Sequence, residues 1–171
     1  GELSMMKVLI KNGANVNIKN NYIGNTPLHY AVGKGNIEIF KCLINNNANI
    51  NVENKNGSTI LHETSDNDKE HIELGKFLIV NGMNVNAKSN VGATPLHLAA
   101  YNGHQKLAKL FIENGANVNA KVASSLYGIN AVTPLDFAEA ANEAHELFGI
   151  DSKAAKRKIA GFLVKHGGTT G

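Results

Sequence analysis

Three histidines recur in one sequence context: Thr26-Pro27-Leu28-His29, Thr59-Ile60-Leu61-His62 and Thr94-Pro95-Leu96-His97. Three imidazoles are enough to hold a zinc ion, at Zn–N distances of about 2 Å. Their spacing argues against that use. They occupy one position of a repeated unit, so each falls in a different layer, and packed helices sit about 8–10 Å apart. A fourth copy, Thr133-Pro134-Leu135-Asp136, carries aspartate there, which a ladder of nitrogen ligands would not readily accept. The expected role is structural, a hydrogen bond linking Thr, His and adjacent backbone. Cys42 is the only cysteine, so an intramolecular disulfide is excluded. It aligns with Phe77 and Leu110 and reads as buried filler, because no base or activating group accompanies it. Neither a GxxxxGK[ST] loop, a GxSxG elbow nor an HExxH helix is present. Gly33-Lys34-Gly35 falls at a turn between helices. No catalytic, metal or cofactor-binding residue is expected, and the chain reads as a non-enzyme.

The elements that carry these residues repeat as well. The Thr positions 26, 59, 94 and 133 are joined in fixed phase by a second motif, Asn12-Gly13-Ala14-Asn15-Val16-Asn17, which returns at 46–51, 81–86 and 114–119. Thr before Pro suits a helix N-cap followed by the first helical residue. All three prolines sit there, and Ile60 takes the place in the remaining copy. Leu96, Ala99 and Ala100 give this first helix a narrow apolar face. A second helix follows, with Leu107, Ala108, Leu110, Phe111 and Ile112 at helical spacing in one copy. Gly13, Gly82 and Gly115 then mark the C′ position, where a left-handed backbone is needed. Asn47, the next most tolerant residue, fills that slot in one copy. An extended Asn-Val-Asn stretch and a glycine (Gly24, Gly57, Gly92) complete each unit.

These motifs resemble the ankyrin repeat family, with Thr-Pro-Leu-His in the first helix, Gly-Ala-x-Val-Asn after the second and about 33 residues per unit. The resemblance covers essentially the whole chain. It implies an all-α solenoid of stacked helix-turn-helix units with β-hairpin fingers. It also implies protein binding through the finger tips and the concave face of the first helices. The Asn-x-Asn motifs are similar to asparagine-hydroxylation sites of that family at Asn17, Asn51, Asn86 and Asn119. The residue two before each is Asn rather than the usual acidic one.

The chain, 171 residues and 43% hydrophobic, is long enough to bury a core and reads as one domain. Residues 1–20 match the second helix and finger of a partial repeat. Residues 21–54, 55–89 and 90–121 are repeats, the second of them with an insertion near Asp66 to Glu70. Residues 122–171 form a long capping repeat. Its finger, Lys121 to Val132, is lengthened, and its first helix is expected to run to about Phe148. Glu139, Glu143, Glu146, Lys153, Lys156 and Arg157 are placed to supply the polar outer surface a terminal repeat needs.

Partner-binding residues are sought where side chains should be exposed on fingers and first helices. Tyr22, Ile23, Leu126 and Tyr127 lie in lengthened fingers, and Tyr30 and Tyr101 on or at the end of first helices. Tyrosine is enriched at interface hot spots. Lys34 and Asn102 extend the first-helix set. Lys55, Lys88 and Lys121, with Lys19, should form a row along successive fingers on which an acidic stretch of a partner could lie.

A net charge of +3 does not by itself call for nucleic acid or a membrane. The basic run Lys153, Lys156, Arg157 and Lys158 lacks interleaved aromatic residues, and no apolar run approaches the roughly 18 residues of a membrane span. The partner is therefore expected to be another protein, with no small-molecule substrate and no cofactor. The alternative reading is a regulatory or targeting module of a larger enzyme or secreted effector. The lone cysteine fits a reducing compartment. With the wealth of Asn, Lys and Ile, it suggests the cytoplasm or a host-cell cytosol.

Overall fold

A computed structural model describes residues 1–65, 70–122, 133–139 and 153–170, with backbone alone at 153–157. The helices are α1 (Glu2–Lys11), α2 (Pro27–Gly33), α3 (Ile37–Ile44), α4 (Ile60–Glu63), α5 (Ile72–Val80), α6 (Pro95–Asn102) and α7 (Gln105–Glu113). They are followed by α8, described over 134–139, and α9 (Lys153–Lys165). They stack in two columns. The inner column runs α2, α4, α6. In the outer column α1 packs on α3, α5 on α7 and α7 on α9.

Each inner helix starts at a threonine in extended conformation. Thr26, Thr59 and Thr94 have ψ of 166°, 167° and 165°. The third helical residue, a histidine, folds back to close a reciprocal capping box. Leu28, Leu61, Leu96 and Leu135 follow two residues after each threonine and are buried. Ala99 and Ala100 are fully buried, as their small size suggests. α4 ends after four residues. Where the neighbouring copies carry Ala31-Val32 and Ala99-Ala100 it has Thr64-Ser65, and the Thr64 hydroxyl donates to the Leu61 carbonyl at 2.7 Å. Threonine bonding back to the helix backbone competes with helical pairing.

One continuous apolar cluster runs from Leu28 through Phe40, Leu78, Leu96 and Phe111 to Ile159 and Leu163. Burial of such side chains, at about 25 cal/mol per Å² of apolar area, is the main term holding the layers together. The outer helices end as the sequence predicts: Asn47 adopts φ 64°, matching 85° at Gly13 and 83° at Gly82. Cys42 is half-buried rather than interior, and its counterpart Phe77 is 39% exposed. That register lies at the rim of the outer column, while Leu43, Leu78 and Phe111, one residue on, face the core.

The fingers are hairpin-shaped turns. Asn20 N–H donates to the Asn25 carbonyl (2.9 Å), Asn54 to Ser58 (3.0 Å) and Ser89 to Ala93 (2.9 Å). Among the described residues, only Glu53 and Thr59 form an antiparallel bridge, so the fingers do not extend into strand ladders.

Candidate functional site

The histidines sit in the inner column. His29, His62 and His97 accept the backbone N–H of Thr26, Thr59 and Thr94 on Nδ1 at 3.2, 3.1 and 3.1 Å. With Nδ1 as acceptor, the proton lies on Nε2. His29 then donates to the Ser58 carbonyl (3.3 Å) and His62 to the Ala93 carbonyl (3.1 Å), each in the next layer. Burial lowers both pKa values, that of His62 to about 4, against the raising effect of the carbonyl bond. His29 and His62 are neutral ties between layers. Among the described residues no group of His, Cys, Asp or Glu is placed to hold a metal ion. Asp136 does the same capping with a carboxylate: it accepts Thr133 N–H at 2.9 Å and the Thr133 hydroxyl at 2.7 Å.

Asparagine supplies the outer edge, with one task per register. Asn12, Asn46, Asn81 and Asn114 cap the outer helices, each donating Nδ2 to the carbonyl four residues back at 2.8 Å. Asn15, Asn49, Asn84 and Asn117 accept the N–H two residues on at 2.9 Å, forming Asx turns. Asn17 clasps the next layer, donating to the Asn47 carbonyl (3.1 Å) and accepting Asn49 N–H (2.8 Å). Asn86 does the same with Gly115 and Asn117, and Asn119 with Gly167 and Thr169.

With the spine and edge occupied, the fingers and the exposed side of the inner helices remain. A cleft of about 290 Å³ opens between them, lined by apolar Ile23, Val91 and Leu98 and by polar Asn56, Asn90 and Glu63. The fingers that wall it are nested. A Cβ on Gly57 would stand 2.8 Å from the Asn90 backbone nitrogen. Asn54 donates to the Asn25 side chain (2.8 Å), and Asn90 to the Lys55 carbonyl (2.8 Å).

The residues singled out from sequence divide three ways. Tyr22 is 89% exposed and Ile23 42%, at a finger tip. Lys34, Lys88 and Lys121 are also exposed. A second set is exposed or half-buried but engaged internally. Tyr30, 49% exposed, accepts a hydrogen bond from Asn20. Lys55 donates to the Asn21 carbonyl (2.6 Å) and Lys19 to the Glu53 carbonyl (2.8 Å). Asn102 donates to the Ser65 carbonyl (2.7 Å), and Tyr101 stacks edge-on to Phe137 at 6.4 Å. Leu126, Tyr127, most of the lengthened finger and the extension of the first helix toward Phe148 lie outside the described residues. So do the segment 66–69 and the side chains of Lys153, Lys156 and Arg157. Sequence reasoning missed Asn56, Glu63, Asn90, Val91 and Leu98. Their signal was positional: Glu63 and Leu98 share the register of Tyr30, and Asn56, Asn90 and Val91 sit in finger turns.

Capped helix pairs in two columns, tied by buried histidines and edged by asparagine clasps, define a helical-repeat solenoid with its fingers on one side. A family model described as ankyrin repeats in three copies matches residues 1–89 and 35–122. The chain belongs to the ankyrin-repeat family, whose members are generally protein-interaction modules and generally non-catalytic. Comparison with curated proteins gives no match. No helix among the described residues is long and apolar enough to cross a membrane.

Proposed function

We propose that this array is a non-catalytic scaffold that binds another protein along its fingers and the concave side of its inner helices. The observation that carries this reading is the cleft beneath the fingers. Apolar Ile23, Val91, Ala93 and Leu98 and several amides converge there, beside the exposed Tyr22. Amide and apolar groups together suit an extended polypeptide, which offers both backbone hydrogen-bonding groups and side chains. Lys34, Lys55, Lys88 and Lys121 are exposed on the same array and favour a partner segment with acidic residues. The nested fingers are already ordered, so binding costs little conformational entropy in the array. The cytosol is the compartment this reading favours.

The test is affinity capture with the 171-residue array and two variants. Asn56→Arg with Tyr22→Ala blocks the cleft and removes its exposed neighbour. Val80→Lys changes an apolar residue on the outer column that is 84% exposed. The reading expects partner retention to fall at least tenfold for the first variant and to hold for the second. Equal retention by both would overturn it.

A further inference from the structure

The joints between layers are not equal. Three carry the asparagine clasp, through Asn17, Asn86 and Asn119. The fourth asparagine of the series is Asn51, whose expected partners are the Gly82 carbonyl and Asn84 N–H. It makes neither bond: Asn51 donates only its backbone N–H, to Asn49 Oδ1 in the Asx turn, and its side chain is left to solvent.

The side chains at this joint account for the difference. Where the other copies have Ala14, Ala48 and Ala116, this one has Met83, which is buried. Its side chain, longer than alanine, joins the buried apolar cluster directly between the two groups, Gly82 C=O and Asn84 N–H, that the clasp would bind. The helices above tell the same story. At the α5–α7 contact the residue is Gly75, and Leu107 approaches to 3.1 Å of where a Cβ would sit. The equivalent residue of α3 is Phe40, which meets Phe77 of α5 edge-to-face with ring centroids 5.3 Å apart. The Phe40 ring stands where the next joint has a glycine, and the Phe77 ring where it has Leu110. At the other end of the same helix pair a second cleft, about 320 Å³, opens between Gly35 and Ile37 on one side and Glu70, His71, Ile72 and Leu74 on the other. His71 bridges it by one hydrogen bond, to the Gly33 carbonyl at 3.1 Å.

The finger side of this joint stays bonded. Lys55 N–H donates to the Ile23 carbonyl (2.8 Å), Asn54 to Asn25 (2.8 Å) and His29 to the Ser58 carbonyl (3.3 Å). A joint tied along one edge and unclasped along the other is a hinge. We infer that the array carries one hinge, between the α2–α3 and α4–α5 layers, that opens at the outer column and pivots near the fingers. In a solenoid each layer contacts only its neighbours, so a single weak interface divides the stability of the whole into two parts. The finger cleft straddles this joint, with Ile23 and Asn25 on one side and Asn56, Ser58 and Glu63 on the other. Opening the outer column therefore changes the width of the cleft. That consequence rests on the proposed function; the hinge itself does not.

Residue-resolved amide exchange on the 171-residue chain tests the hinge without any partner. After correction for sequence, Asn84 N–H should exchange at least tenfold faster than Asn49 N–H and Asn117 N–H, which are held by clasps. Equal protection at the three positions would overturn the inference. Urea unfolding supplies an independent reading. Asn86→Ala should lower the midpoint, while Asn51→Ala should leave it unchanged. A fall for Asn51→Ala as large as that for Asn86→Ala would equally overturn it.

Discussion

Where both ties form, the two edges of a layer are held by different chemistry. At the inner edge a buried imidazole links a threonine N–H of its own layer to a carbonyl of the next. At the outer edge an exposed asparagine amide spans a similar gap with a similar pair of bonds. The hydrogen bonds are alike in length, but their surroundings are not. Water can replace the outer bonds when they break, whereas the inner groups have no substitute and would be left unpaired in an apolar interior. The lesson is that equal geometry does not mean equal energy: the inner edge should hold the array together, and the outer edge should tune it.

Removing an inner tie should give the largest effect. His62→Ala strips the partner from Thr59 N–H and the Ala93 carbonyl and leaves a void beneath the finger cleft, costing about 4 kcal/mol. Urea unfolding at pH 7.5 measures it, and a loss under 1 kcal/mol would erase the distinction between the edges. Acid should come next. His62 titrates at about 4 in the fold and near 6.5 when unfolded, so the unfolded chain binds its proton first as pH falls. Stability is therefore complete above pH 6.5 and drains away toward pH 4, by about 3 kcal/mol in total. His29, lowered in the same direction, adds to the loss. A midpoint that holds constant from pH 7.5 to 4.5 would contradict this.

At the outer edge, Asn86→Ala should cost about 1 kcal/mol, since two solvent-facing hydrogen bonds are exchanged for water. A cost equal to that of His62→Ala would place both edges in one class. Smallest of all, Tyr22→Ala should shift stability by less than about 0.5 kcal/mol, because the side chain stands clear of the core. Its effect belongs in partner retention, and a thermal melt with a capture assay separates the two.

How much of this was legible in the residues depends on whether a feature lies within one repeat or between two. The caps are local: Thr followed three residues later by His or Asp, and Gly or Asn47 after an apolar helix, each declare themselves within a few positions. The assignment of the histidines to structure rather than metal followed from their falling in successive layers. Features made by two repeats were not legible. Cys42 and Phe77 share an apolar register, but only the stacking direction reveals that this register lies at the rim. Asn102 and Tyr101 look exposed at the end of a first helix, yet Ser65 and Phe137 of neighbouring layers engage them. The same holds for the missing clasp at Asn51. The motif around it matches the others, and the one departure at the joint, Met83 in place of alanine, sits 32 positions downstream.

The stack depends on His29 and His62 being held between layers as neutral ties. Titrating the intact array and following the ring protons of His62 by NMR measures that state directly. A pKa of about 4 in the folded protein is the expected result. A value near 6.5, with the fold intact, would mean that water reaches the ring and that the layers are not joined there.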